Sequence, residues 1–189
     1  MVDVAAINLE DLYIYSPRDL NVVKLTACKT LKSLFLNGVT VTEIWLEKLF
    51  SSLQNLEKFY LIRCLTLRTV KISSYRLKKL IVVDCLNLVN AQVSAPNVLY
   101  FSYNCCSSLP TLNLKGSGSL EATISFDSLE TLDSDWYSKL TSFLRNFNHS
   151  IAIELSSQND EVIVIPKDVR VNLLPPLHAT NNLQVNIQE

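Results

Sequence analysis

The chain has 189 residues, of which 48% are hydrophobic and 19% charged, and its formal net charge is −1. This composition excludes wholesale disorder, and it provides no basic surface of the kind that binds nucleic acid. The apolar runs are short and interrupted, so the sequence predicts no membrane span, and its length favours one domain or one repeat array.

A half-repeat recurs from near the start of the chain. Leu9, Leu20 and Leu31 are evenly spaced, and each begins a run in which apolar and polar residues alternate. Such alternation is typical of a short strand with one buried side. We therefore expect the first repeat strand to begin by Leu9.

The unit from Leu31 to Leu56 is longer than its neighbours. Thr40 and Glu43 have the spacing of a capping box, in which the first residue caps the start of a helix. Apolar residues with helical spacing follow at Val41, Ile44, Trp45, Leu49 and Leu53. The pattern predicts a helix over residues 41–53 on the convex side.

A full repeat occupies the middle of the chain. Its clearest markers are the evenly spaced Cys64, Cys85 and Cys106, and apolar residues hold the same positions in each copy. The pattern L-x-x-L-x-L-x-x-C, at a period of about 21 residues, is the signature of leucine-rich repeats (LRRs). Because half-units recur at about half that period, each coil is expected to have a strand on each side. The predicted fold class is α/β: an LRR solenoid with coils of about 21–25 residues, short parallel strands on both sides and one convex helix.

The cysteines are expected to be buried thiols. Equivalent residues in successive coils face the core, where cysteine packs as a small hydrophobic residue. Neither a C-x-x-C pair nor a nearby His completes a zinc site, so no metal or other cofactor is expected. Cys105 precedes Cys106, and alternation turns Cys105 outward as the more exposed thiol. Unpaired thiols favour a reducing compartment and hence a cytoplasmic or nuclear location.

The repeat pattern decays near residue 127. A second helical pattern then follows at Trp136, Leu140, Phe143, Leu144 and Phe147, and strand-like runs lie at 151–155, 162–165 and 183–187. The last coil of a solenoid needs a covering for its core, so its sequence differs from the repeat. We therefore divide the chain into a solenoid of residues 1–133 and a C-terminal helix-plus-strand cap of residues 134–189.

The chain resembles plant F-box/LRR proteins, in particular the F-box/FBD/LRR type, in their leucine-rich region. The similarity is carried by residues 28–34, 56–64, 77–88, 95–98 and 136–148. In that family an F-box docks the Skp adaptor of a cullin-RING ubiquitin ligase, and the repeats recruit a target. The resemblance therefore implies target recognition within such a ligase, and it implies that the cap of residues 134–189 is an incomplete FBD-like segment.

The sequence departs from that family because it contains no F-box and enters a repeat by Leu9. A Skp-type adaptor is therefore expected as a partner only if an F-box lies upstream. The alternatives are a stand-alone LRR interaction scaffold and a truncated paralogue without ligase docking. No catalysis is expected, because His149 and His178 lack motif partners and the sequence has no P-loop or nucleophile elbow.

The outward positions of the strands form the candidate protein-binding site. In the half-unit these are the third, fifth and seventh residues, since side chains alternate along a strand. The alternate strands carry polar residues there, such as Lys71 and Gln92, whereas the Cys-ended strands carry aromatic and apolar residues. An exposed aromatic stripe is typical of a recognition surface. The predicted binding residues are Tyr13, Tyr15, Phe35, Lys58, Tyr60, Ile62, Lys79, Ile81, Asp84, Tyr100 and Phe126, with Lys58, Lys79 and Asp84 at the polar margins of the surface.

Two alternatives to a binding role for this stripe stay open. β-Propensity alone favours tyrosine and isoleucine on strands, although the alternate strands are under the same pressure and remain polar. The second alternative is that a missing N-terminal domain, or the C-terminal cap, packs on this face.

Overall fold

The computed structural model describes residues 2–20, 23–25, 27–105, 109–126, 132, 134–170 and 175–187. In chain order its strands and helices are β1 (Val2–Asp3), β2 (Asp11–Leu20), β3 (Val23–Lys24), β4 (Ser33–Val39), α1 (Glu43–Ser52), β5 (Lys58–Ile62), β6 (Thr69–Ser73), β7 (Lys79–Val83), β8 (Asn90–Ser94), β9 (Tyr100–Cys105), β10 (Thr111–Lys115), β11 (Glu121–Phe126), α2 (Ser134–Leu144), β12 (Ala152–Ser157), α3 (Lys167–Arg170) and β13 (Asn182–Ile187).

Two sheets form the two sides of a flattened solenoid, and β1 and β3 form a separate two-stranded sheet. All the described strand pairs are parallel. The main sheet has eight described strands in the order β2-β4-β5-β7-β9-β11-β12-β13, and the second sheet has the order β6-β8-β10. The coils that begin with β5, β7 and β9 thus contribute one strand to each side, and α1 packs beside β6 and α2 beside β10. The predicted solenoid with strands on both sides is confirmed.

Alternate residues of both sheets meet in one core. Phe59 and Leu61 of β5 are fully buried, as are Val70 and Ile72 of β6 on the other side of the coil. Burying each such side chain stabilises the fold by about 1.5–3 kcal/mol. Their neighbours along each strand point outward, which explains the alternation in the sequence.

The repeat cysteines lie in this core where the structure describes them. Cys64 and Cys85 are buried free thiols, as the spacing predicts, and Cys28 is buried in the same way. Cys106 and the side chain of Cys105 lie outside the described residues.

Helix α1 begins two residues later than predicted. Its cap is Thr42, whose Oγ1 accepts a hydrogen bond of 3.2 Å from the backbone N–H of Trp45. A cap must lie within reach of the third amide of the helix, and Thr40 is too far from the observed first turn. The helix buries Leu46, Leu49 and Phe50, whereas Ile44 is exposed.

The C-terminal helix packs as its sequence pattern predicts. Trp136, Leu140 and Phe143 of α2 are buried, and a short 3-10 turn (Arg145–Phe147) continues the same apolar face. The Phe143 ring lies 5.3 Å from that of Tyr103, and the Phe147 ring lies 5.4 Å from that of Phe101. These ring contacts fix α2 and its following turn against β9.

The predicted strand at residues 162–165 is wrong. A 3-10 turn (Asp160–Val162) lies there, and the Asn159 side chain caps it by accepting a 2.9 Å hydrogen bond from the Glu161 N–H. The apolar residues serve packing rather than sheet formation, since Val162 is buried and its carbonyl accepts from Trp136 Nε1 at 3.1 Å. The other two predicted runs correspond to β12 and β13, which extend the main sheet from β11.

The prediction placed Ala122, Ile124 and Phe126 on the outer face of β11, and this orientation is wrong because the count along the strand was shifted by one residue. Glu121 pairs with Tyr100, and Thr123 pairs with Ser102, so Ala122, Ile124 and Phe126 point inward. The prediction counted from Leu120 because Ser119 occupies the repeat position with a polar residue, and a shift of one residue reverses the two faces of a strand. Phe126 is 1% exposed, with its ring 5.9 Å from that of Trp136, and it is a core residue rather than a binding residue.

Gly38, near the end of β4, permits a close approach to β2. Its φ is +67°, and a Cβ at this position would lie 2.4 Å from the backbone oxygen of Ser16. Gly38→Ala is therefore expected to lower the free energy of unfolding by about 1–3 kcal/mol, because strain and collision add. Gly118→Ala is the matched control, since a Cβ there meets nothing within 4 Å. Equal losses in the two variants, measured by urea unfolding, would contradict this role of Gly38.

Candidate protein-binding surface

The outer face of the main sheet presents its side chains in rows that cross the strands. Parallel register places equivalent residues of successive coils side by side, so Tyr60 lies between Phe35 and Ile81. This register brings the predicted residues together on β2, β4, β5 and β7.

An aromatic strip, consisting of Tyr13, Phe35 and Tyr60, runs across β2, β4 and β5. The rings of Tyr13 and Phe35 are 5.5 Å apart, and those of Phe35 and Tyr60 are 5.4 Å apart, both in tilted geometry. Such pairs contribute about 0.5–1.5 kcal/mol beyond their burial. The ring contacts order the strip within the chain itself, although Tyr13 and the nearby Tyr15 are both exposed.

Lys79 links this strip to Tyr100. Its Nζ lies 4.5 Å from the centroid of the Tyr100 ring and 6.0 Å from that of Tyr60, within the range of a cation–π contact. The Tyr100 hydroxyl donates a 3.2 Å hydrogen bond to Thr123 Oγ1. Lys79 therefore lies between two tyrosines, rather than at the polar margin where the sequence placed it.

Lys58 and Lys79 stand directly opposite each other on β5 and β7. Lys58 is exposed, and Lys79 is partly covered by the tyrosine rings. Like charges in neighbouring register positions repel each other, so this pair costs stability in the free chain. The pair concentrates positive charge beside the aromatic strip.

The carboxyl ends of β5 and β7 form the other margin of the surface. Ile62 is half-buried there, as is Ile81 in the middle row. The Arg63 Nε donates a 3.3 Å hydrogen bond to Asp84 Oδ2, and both residues have positive φ, at 50° and 53°. Asp84 thus serves as the ion-pair partner of a neighbouring coil, and such exposed pairs contribute little stability.

The far half of the same face is polar. Ser156 Oγ donates to Ser125 Oγ at 2.8 Å, and Asn186 Nδ2 donates to Glu154 Oε1 at 2.7 Å. These side chains satisfy one another across β11, β12 and β13. The apolar and aromatic character is therefore confined to the strands from β2 to β7, with Tyr100 at its boundary.

The second sheet provides an internal comparison. The outward residues of its three strands are polar: Thr69, Lys71, Ser73, Asn90, Gln92, Ser94, Thr111, Asn113 and Lys115. The Lys71 Nζ lies 3.2 Å from Glu47 Oε1 of α1. Because both sheets have the same parallel geometry, folding alone does not require aromatic residues on the main sheet.

The buried thiols are packed in the core. Cys85 Sγ donates to the carbonyl oxygens of Val83 and Leu61 at 3.6 and 3.7 Å. The hydrogen bond with Cys64 and then burial raise the pKa of the Cys85 thiol, so it stays protonated. Within the described ranges, no group of three or more His, Cys, Asp and Glu side chains could hold a metal ion.

Comparison with protein families matches residues 5–166 to the LRR domain described as At1g61320/AtMIF1, LRR domain. The match covers most of the chain and the coils on which the surface is built. The chain belongs to this leucine-rich-repeat family. LRR solenoids are typically non-catalytic scaffolds for protein interaction, and this domain is a protein-interaction module.

Neither the curated proteins nor the solved structures contain a match to the chain. Among its described helices, none combines the length and apolar content needed to cross a membrane.

Proposed function

We propose that this LRR domain binds a protein target on the outer face of the main sheet, centred on the aromatic strip. The observation that carries the proposal is the contrast between the two outer faces. The outer face of the second sheet is polar in all three described strands, whereas the first strands of the main sheet carry contacting aromatic rings on their outer face. Exposed aromatic clusters of this kind supply the anchors of protein interfaces.

The chemistry of the surface indicates the kind of target. Tyr13, Phe35 and Tyr60 offer rigid apolar area, which loses little side-chain entropy on binding because the rings already contact one another. Lys58 and Lys79 offer two positive charges beside those rings. A target that places an apolar side chain on the strip and a carboxylate near the two lysines complements both features.

The resemblance to F-box/LRR proteins supports a finer proposal. The LRR domain would then be the target-recognition part of an F-box-type subunit of a Skp–cullin–F-box ubiquitin ligase, in the cytoplasm or nucleus. Its free buried thiols at Cys28, Cys64 and Cys85 fit a reducing compartment. The alternative is a stand-alone interaction scaffold or a truncated paralogue that docks to no ligase.

Hydroxyl-radical footprinting of the captured complex tests the proposed surface. Partners are captured from cells on the tagged chain, and side-chain oxidation is compared with that of the free chain. We expect protection of Tyr13, Phe35 and Tyr60. Tyr75, which is 77% exposed and lies outside the main sheet, is a matched control for Tyr13, which is 70% exposed. Protection of Tyr75 without protection of the strip would contradict the proposal.

The same captured material separates the two finer functions. A Skp-type adaptor that co-purifies with a longer chain carrying an F-box, and not with this chain, supports the ligase role. A stable target complex in which no form of the chain brings down the adaptor supports the scaffold.

A further inference from the structure

Among the described strands, β13 forms one edge of the main sheet, and its core-side residues are exposed. Leu183 and Val185 pair in register with Ile153 and Leu155 of β12, so all four side chains point toward the core side. Ile153 and Leu155 are 1% and 3% exposed, whereas Leu183, Val185 and Ile187 are 54%, 46% and 45% exposed. In the described part of the chain, the apolar core is therefore open at this end.

The two edge strands of the main sheet differ in their protection. The sequence of β2 includes Asp11 and Pro17, and its register with β4 shifts between Tyr15 and Leu20. Charges, prolines and irregular register are the usual means of preventing edge-to-edge pairing. β13 has the sequence NLQVNI, with regular register along its length and neither a charge nor a proline. The edge at β13 is thus left suitable for pairing.

We propose that β13 pairs with β13 of a second copy of this chain, antiparallel about a two-fold axis perpendicular to the sheet. With Val185 opposite the partner's Val185, Leu183 lies opposite the partner's Ile187 and Gln184 lies opposite the partner's Asn186. Apolar side chains then meet on the core side, and uncharged amides meet on the outer side. Cross-strand pairs of this kind stabilise an antiparallel ladder.

The absence of charge within β13 is what favours a second copy as the occupant. About a two-fold axis, a charged residue near the axis faces its own equivalent, and the resulting repulsion would oppose pairing. The sequence of β13 contains no such residue, and the net charge of the chain is only −1. Pairing of β13 with β2 of another copy would instead produce an open filament, which the irregular β2 edge disfavours.

The proposed dimer changes what the domain can bind. It joins two eight-stranded sheets into one and places the exposed core-side residues of the two β13 strands next to each other. Both aromatic strips then lie on the same outer face. This arrangement is independent of the target identity and makes the surface bivalent. A target with two copies of the recognised feature would then be held by both strips.

Sedimentation equilibrium of the purified chain, from micromolar to submillimolar concentration, tests this proposal. We expect a mass approaching twice 21.3 kDa as the concentration rises. Val185→Lys is expected to return the mass to that of one chain, because it places a charge on the core side of the edge. Val89→Lys is the matched control, since Val89 is 54% exposed and lies just before β8 in the second sheet.

Each outcome of this experiment bears on the β13 pairing. A single-chain mass at every concentration, a dimer that Val185→Lys leaves intact, or masses that grow beyond two chains would each overturn it. If the Val185→Lys variant no longer unfolds cooperatively on heating, the Leu183→Lys variant is measured instead. We expect it also to have the mass of one chain. Footprinting of the strip in the monomeric variant is expected to be unchanged, so failure of the dimer does not count against the binding surface.

Discussion

Cys85→Asp is expected to lower the free energy of unfolding by about 3–5 kcal/mol, the cost typical of an uncompensated buried charge. Cys85 is 5% exposed, and its Sγ donates to the carbonyl oxygens of Val83 and Leu61. A carboxylate in that place would face two acceptor oxygens and could not bond to either. A carboxylate at this site would thus have no contact with solvent, and these two carbonyls could donate no hydrogen bond to it.

Urea unfolding at neutral pH measures this effect, with the midpoint and slope read separately. Cys85→Ala is the matched core control and is expected to cost about 1–2 kcal/mol, because it loses packing without introducing a charge. Gln92→Asp, at an exposed outward position of β8, is the surface control and should change stability by less than about 0.5 kcal/mol. A Cys85→Asp variant as stable as the Cys85→Ala variant would show that the site admits water.

The coil architecture could be predicted from the sequence because burial enforces its period. Residues that face the core of one coil must face it in the next, so Cys64 and Cys85 repeat at the interval that the parallel register requires. The two strands per coil and the aromatic composition of one outer face could also be predicted. These features depend on local alternation, which a single sequence displays directly.

Other features depend on tertiary contacts that local alternation does not display. Because the polar Ser119 occupies a repeat position, the prediction counted from Leu120. This exchanged the two faces of β11 and placed Phe126 on the outer face. The interval between Cys64 and Cys85, applied from Phe101, would have placed Ala122 correctly in the core.

Contacts between coils likewise decide the roles of single side chains. The role of Lys79 became visible only when register placed it between Tyr60 and Tyr100. Which of two threonines caps α1 depends on the observed first turn, which the spacing of apolar residues does not determine.

Removing two rings from the proposed binding surface should have the largest effect on function. Tyr60→Ala with Tyr100→Ala is expected to weaken target binding at least about a hundredfold, since an aromatic anchor in an interface typically contributes about 2 kcal/mol. Tyr60 is the last ring of the aromatic strip, and Tyr100 holds the Lys79 ammonium from the other side. The double variant therefore removes apolar area and also frees the lysine that would meet a carboxylate.

The effect on folding should be small by comparison. Both rings project from the outer face, so their loss opens no core cavity, although the contacts with Phe35 and Thr123 are lost. We expect the melting temperature to fall slightly and the cooperative transition to remain. This separation between binding and stability distinguishes a recognition surface from a surface that only packs.

The most direct measurement of the central claim compares the two outer faces in one binding assay. Affinity for the same purified target is measured for the parent chain, for Tyr60→Ala with Tyr100→Ala, and for Lys71→Ala with Gln92→Ala on the second sheet. We expect loss of binding in the tyrosine pair and parent-like affinity in the second-sheet pair, with all three chains folded. Loss of binding in the second-sheet pair and parent-like affinity in the tyrosine pair would show that recognition lies on the opposite face of the solenoid.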